Sequence, residues 1–122
     1  MPSHGETRTV GLKGEDRACS FLREKGYTIL ERNFRIRGGE IDIIVLKCQT
    51  LAFVEVKTLP NGSPEMLAAV LNSRKQEKII KTAKCYLQNH RQYSNKIIRF
   101  DVLAIDVPGL EPVHHIVNAF SE

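Results

Sequence analysis

Gly39-Glu40-Ile41-Asp42-Ile43-Ile44-Val45-Leu46, a short polar connection, then Leu51-Ala52-Phe53-Val54-Glu55-Val56-Lys57: the reading of this stretch decides the fold. Both halves are rich in Ile, Val and Phe, and turn formers bound them, Gly38-Gly39 before and Pro60-Asn61-Gly62 after. The pattern predicts two adjacent antiparallel strands. Side chains alternate faces along a strand, so Glu40, Asp42, Ile44 and Leu46 are expected on one face and Ile41, Ile43 and Val45 on the other. Phe53, Glu55 and Lys57 likewise share a face, opposite Val54 and Val56. A turn centred on Cys48-Gln49 puts Asp42 directly across from Glu55, and Glu40 across from Lys57. Opposed residues have β-carbons ~5 Å apart, and two like charges there destabilise the pair. Carboxylates so placed need something positive between them, and a divalent cation with Lys57 beside it meets that need. The wholly apolar second faces predict a mid-sheet position, covered on both sides. An edge hairpin whose acids simply face water is the plainer alternative.

Outward from the hairpin toward the N-terminus, Tyr27 to Arg37 reads as a first strand with Arg32, Arg35 and Arg37 near its end. A helical pattern precedes it from about Val10 to Lys25, stopping at Gly26, a residue suited to a C-terminal cap. Glu15 falls inside the apolar stripe of Leu12, Ala18, Cys19, Phe21 and Leu22, while Asp16 lies on the polar side. A buried unpaired carboxylate is costly. Glu15 therefore has a cationic partner, helps a metal site, or snorkels outward from the stripe's edge. Residues 1–9 are polar without periodicity and are expected as a flexible tail to a single domain over residues 10–122.

Beyond the hairpin, Thr58-Leu59-Pro60-Asn61-Gly62-Ser63-Pro64 predicts a loop, either a flap over substrate or a long connection. Residues from about Glu65 to Asn89 are helical in pattern, with a break near Asn72-Ser73. Ile79, Ile80, Ala83, Tyr86 and Leu87 form the apolar side of this helix, and Arg74, Lys78, Lys81 and Lys84 spread over the other. Lys75 lies at the margin beside Tyr86, from where it can reach toward the carboxylates. Strands from Ile97 to Val107 and from Val113 to Val117 complete the order helix, three strands, helix, two strands, an α/β domain.

At 122 residues, 42% hydrophobic and 26% charged, the chain has the size and composition of one soluble globular domain. It has no apolar run able to span a bilayer and no signal-peptide pattern, which excludes a membrane partner and predicts a cytoplasmic protein. Cys19, Cys48 and Cys85 lack metal-ligand spacing and read as reduced, mostly packed thiols. His4, His90, His114 and His115 also lack it and are taken as surface residues. The net charge of +4 is unevenly placed. Arg74, Lys75, Lys78, Lys81, Lys84, Arg91, Lys96 and Arg99 face a single acid, Glu77, between Asn72 and Arg99, and no Lys or Arg follows Phe100. Such a segment suits phosphates. A solvated helix face is the bland alternative.

Asp42-x12-Glu55-x-Lys57 on neighbouring strands, with Glu15 on a preceding helix, resembles the PD-(D/E)xK nuclease superfamily. A longer set of motifs is similar to the YraN (UPF0102) family, whose sequences are related to archaeal Holliday-junction resolvases. The set is Gly14-Glu15, Gly26-Tyr27-x-Ile29-Leu30, Asn33-x-Arg35, Gly39-Glu40-Ile41-Asp42, Phe53-Val54-Glu55-Val56-Lys57-Thr58, Arg99-Phe100-Asp101-Val102 and Asn118-Ala119-Phe120. The resemblance covers about residues 11–120, and its motifs are specific in combination. Leu59 departs from it, standing where the family usually has Arg, which removes one phosphate contact and touches none of the acids.

The resemblance implies a restriction-endonuclease-like mixed central sheet flanked by helices, order α-β-β-β-α-β-β. It also implies a metal-dependent endonuclease acting on DNA, branched or otherwise structured DNA included, by phosphodiester hydrolysis. Asp42, Glu55 and the Val56 carbonyl would hold Mg²⁺, with Mn²⁺ as a substitute and Glu15 as a third carboxylate acting directly or through water. Lys57 would orient the attacking water or neutralise the phosphate, and the family also has a Lys at position 75. Arg35, Arg37, Arg74, Lys75, Lys78, Lys81 and Lys84 are the candidate DNA-binding residues. Gly39-Glu40 would leave room for substrate backbone, or Glu40 would pair with Lys57. Resolvase relatives act as dimers, so a homodimer is one expectation, although no stretch marks a dimer face. The competing reading is a non-catalytic nucleic-acid-binding protein on the same fold.

Overall fold

The computed structural model describes the backbone of residues 3–122 and the side chains of residues 13–122. Five strands form one sheet: β1 (Thr28–Ile36), β2 (Gly39–Lys47), β3 (Thr50–Thr58), β4 (Ile97–Ile105) and β5 (Val113–Phe120). They lie side by side in sequence order, with β3 and β4 parallel and every other neighbouring pair antiparallel. The sheet is thus mixed, with three helices packed about it: α1 (Ser3–Glu24), α2 (Pro64–Val70) and α3 (Ser73–Gln88). A parallel neighbour needs a long crossover, and α2 and α3 supply it between β3 and β4. This is the expected α-β-β-β-α-β-β order, the second helical stretch being divided in two.

The division has a local cause. Leu71 leaves helical geometry, and the Asn72 side chain accepts the Lys75 N–H at 3.0 Å, capping a new helix. Ser63 caps α2 in the same way, so the expected loop shrinks to residues 59–63. At the other end of the chain α1 closes in a Schellman motif. Gly26 takes φ 92, its N–H bonds the Arg23 carbonyl, and the Tyr27 N–H bonds that of Leu22. The helix begins at Ser3, upstream of the expected Val10, so the stretch read as a tail is helical from Ser3. Extending an existing helix costs little even for polar residues. Met1, Pro2 and the Leu12 side chain lie outside the described residues.

Two apolar layers sandwich the sheet. Ala18, Cys19 and Leu22 of α1 pack on Ile43, Val45, Ala52, Val54, Leu103 and Ile105. On the other face Ile79, Ala83 and Tyr86 of α3 pack on Ile44, Leu51, Phe53, Phe100 and Val102. β2 and β3 are therefore covered on both sides, as their apolar faces predict. Ile80 and Leu87 are only half buried, and the fully buried Thr82 takes a place on the inner side of α3. Among the described residues no helix is long and apolar enough to cross a membrane.

Along β2 strict alternation fails at one point, and that point positions the site. Ile41 packs in the α3 layer, whereas Ile43 packs in the α1 layer. On the neighbouring strand Arg32 reaches Glu15 and Asp16 of α1, while Phe34 meets Tyr86 of α3. Arg32 pairs with Ile43 and Phe34 with Ile41, so both strands change face at the step between, Asn33 against Asp42. Asn33 adopts φ 54, a left-handed conformation that Asn tolerates better than most residues. The shared face expected for Ile41 and Ile43 is corrected accordingly.

Candidate active site

The hairpin between β2 and β3 turns at Cys48, where φ is 54, and its register is the expected one from Lys47 opposite Thr50 to Ile43 opposite Val54. There the backbone ladder stops. The next partner of β3 is a side chain, the Asp42 carboxylate, which accepts the Val56 N–H at 2.8 Å. With the strand turning over at this residue, Asp42 points sideways into a fork between β2 and β3. In a strand the N–H and C=O of one residue face the same edge, so the Val56 carbonyl opens on the same fork.

Glu55 shares this space. Its side chain is only 12% exposed, and Lys57 Nζ stands 3.5 Å from its Oε2. Burial, then the neighbouring Glu55 charge, push the Asp42 carboxyl up to about 7, against the Val56 N–H and the Lys57 charge, which pull it down. Two carboxyl groups this close titrate as a pair. Lys75 completes the cluster from α3. The Lys57 ammonium close beside it, then burial, hold its ammonium below the usual lysine range, although Glu55 and Asp42 pull the other way. Asp42, Glu55, Lys57 and Lys75 are thus brought together.

Glu15 stands apart from them. Its carboxylate accepts from Asn33 Nδ2 at 3.1 Å and from Arg32 Nη2 at 3.4 Å, so it has a cationic partner. Among the described residues no three His, Cys, Asp or Glu side chains gather as a metal-binding group. Glu15 nevertheless holds the residue that faces Asp42 across the strand pair. Gly14 lets α1 approach here, since a β-carbon at that position would lie 3.0 Å from Thr58 Oγ1 at the end of β3.

Glu40 does not meet Lys57, because β2 and β3 have parted before that point. It pairs instead with Arg35 on β1, Arg35 Nε donating to Oε2 at 3.1 Å. Gly39 lines the cleft between the β1–β2 turn and α3. A β-carbon there would sit 2.1 Å from Thr82 Oγ1 and 3.3 Å from the Lys78 carbonyl, so Gly39 lets α3 pack against the β1–β2 turn. Arg37 is exposed in that turn, and Arg74, Lys78, Lys81 and Lys84 are exposed along α3, Lys84 being paired with Glu122.

Two groups of residues have roles that the sequence reading did not assign. Asn33 makes the pivot, and a signal for it exists: Arg32 interrupts the apolar parity of Leu30, Phe34 and Ile36. On the α1 side, Asp101 is buried and accepts from Arg99 Nη2 at 2.8 Å, His115 Nε2 at 2.8 Å and the Asn118 N–H at 2.9 Å. Burial alone would raise its carboxyl, but these hydrogen bonds outweigh that and hold it below the usual carboxylate range. Arg99 also reaches the Tyr27 hydroxyl. The Arg99-x-Asp101 and Asn118 motifs thus fasten the edge strand β5 to the sheet. His115 belongs to this network and His90 stacks on Tyr86, and both are half-buried where surface residues were expected. Cys19 is buried, Cys85 half-buried and Cys48 exposed.

Comparison with known proteins places these motifs in a wider set. Residues 14–105 match the Uncharacterised protein family UPF0102. The UPF0102 protein of Treponema denticola is 45% identical over 125 residues, covering 93% of this chain and 96% of that protein. Its counterpart in Geobacter metallireducens is 46% identical, covering 93% of each chain. That of Caldanaerobacter subterraneus subsp. tengcongensis is 40% identical, covering 93% of this chain and 95% of its own.

Proposed function

This chain belongs to the UPF0102 family, and from that premise and the β2–β3 fork we propose that it is a metal-dependent nuclease of the PD-(D/E)xK kind. Its substrate is DNA, branched or otherwise structured DNA included, cleaved by phosphodiester hydrolysis. The observation that carries the reading is the convergence of Asp42 and Glu55 where the backbone ladder ends, with Lys57 and Lys75 beside them. Folding gains nothing from forcing two carboxyls together. A site that must collect a cation does.

The donors present fit Mg²⁺ or Mn²⁺. Asp42, Glu55 and the Val56 carbonyl offer hard oxygens, and the small number of protein ligands suits Mg²⁺, which keeps several waters. Bound there, the ion would polarise a phosphate oxygen and make a bound water more acidic. Lys57 is placed to orient the attacking water or to neutralise charge growing on the phosphate as the new P–O bond forms and the old one breaks. Lys75 adds a second cation from α3. Glu15 acts one step back, holding Asn33 and with it the pivot that aims Asp42. The exposed cations of α3, with Arg35 and Arg37, supply the surface for the DNA backbone.

The test is to incubate the protein and its Glu55→Gln variant with labelled single-stranded, duplex, flap, nicked and four-way DNA, with Mg²⁺ or Mn²⁺. Cleavage by the parent alone supports the proposal. Equal cleavage by both refutes the assignment. DNA binding through α3 without metal-dependent cleavage leaves a binding protein on the nuclease fold.

A further inference from the structure

We propose that the cleft beside the fork is a subsite for a second backbone phosphate, with Arg35 as its main ligand and Glu40 as the carboxylate that occupies Arg35 until the strand arrives. The identity of the ligand as a nucleic-acid strand rests on the nuclease reading. The geometry of the subsite does not.

The cleft holds about 410 Å³ between the β1–β2 turn and α3, with Arg35, Glu40, Glu55, Lys75 and Lys78 among its walls. Glu55 links it to the carboxylate pair. Glu40 lies two residues from Asp42 along β2, about 6–7 Å, a distance comparable to the step between neighbouring phosphates on a strand. Three cations, Arg35, Lys75 and Lys78, thus line a cleft that is continuous with the proposed point of cleavage through Glu55.

Glu40 gives the subsite its particular character. Arg35 and Glu40 pair across β1 and β2, and their side chains are 73% and 53% exposed. An ion pair so open to water contributes little to stability and exchanges partners easily. The planar guanidinium fork matches a phosphate with two parallel hydrogen bonds, a better match than the single contact it makes with Glu40. A phosphate entering between Arg35, Lys75 and Lys78 takes over the fork and leaves the Glu40 carboxylate to water. Glu40 thus lowers the affinity of the cleft for anions that cannot engage all three cations together.

The experiment measures binding of a labelled short oligothymidylate by fluorescence anisotropy in EDTA, where neither metal nor cleavage enters. Glu40→Gln is expected to bind about fivefold tighter, the effect of removing one charge near the phosphate in a wet site. Arg35→Gln is expected to weaken binding by a similar factor. Glu24→Gln, an exposed site on α1, corrects for net charge. In the Arg35→Gln background Glu40→Gln should give no more than the Glu24→Gln effect. The subsite is overturned if Glu40→Gln gains no more than Glu24→Gln, or gains as much without Arg35 as with it. Binding as expected without any cleavage would refute the nuclease reading alone, and cleavage with an inert Glu40 the subsite alone.

Discussion

Replacing Asp42 by Asn should stabilise the protein, and the gain should grow with pH. The amide oxygen can keep the Val56 N–H, now 2.8 Å from the carboxylate, while the amide nitrogen can donate to Glu55 where a second carboxylate only repelled it. In the folded protein the Asp42 carboxyl is pushed up from 3.8 to about 7. Between these values the folded state binds more protons than the unfolded one, so this group's contribution to stability falls as pH rises through that window and levels off above it. At about 1.4 kcal/mol per unit, the upper limit is about 4 kcal/mol of destabilisation in alkaline solution, some 2 to 3 kcal/mol of it appearing between pH ~5 and pH ~8. Urea unfolding in EDTA, followed by circular dichroism at those two pH values, measures the difference between the parent and Asp42→Asn directly. Subtracting the two cancels titration elsewhere in the chain. The advantage of Asp42→Asn should rise with pH, and added Mn²⁺ should narrow it by stabilising the parent alone. A difference that is the same at both pH values, or a variant less stable than the parent at the higher one, would refute the picture of a compressed carboxyl pair.

Lys57→Ala should retain metal and DNA binding within several-fold while single-turnover cleavage falls by roughly two orders of magnitude, the usual loss for one transition-state donor. Cleavage at the parent rate would reduce Lys57 to a charge partner of Glu55. Changing Lys78, Lys81 and Lys84 to Gln should lower the slope of log affinity against log salt by roughly 2–3, about 0.9 for each lost phosphate contact. An unchanged slope would mean a merely solvated helix face. Gly39→Ala drives a β-carbon to 2.1 Å from Thr82 Oγ1 and should cost about 1–3 kcal/mol in thermal unfolding, partly recovered by adding Thr82→Ala. Failure of the second change to recover anything would place the strain elsewhere.

What the sequence by itself determined was whatever depends on neighbours along the chain. A two-residue turn at Cys48-Gln49 and a period of two fix the hairpin register as far as Ile43 opposite Val54, one step short of Asp42 and Glu55, which then meet through the fork and not as a ladder pair. A wheel is enough to put Lys75 at the margin of α3, and Gly26 and Asn72 declare their helix ends through local hydrogen bonds. The tertiary structure decided what depends on contact between distant elements. Alternation along β2 contains no sign that Ile41 and Ile43 part company, because the cause is a left-handed residue on another strand. Glu40 looks like the partner of Lys57 until the strands part and Arg35 takes it. Gly39 needs Thr82, Asp101 needs His115 and Asn118, and Glu15 needs Arg32 and Asn33. Each of these is a side chain meeting a group far away in sequence, where burial and charge are settled by packing and periodicity has nothing to say.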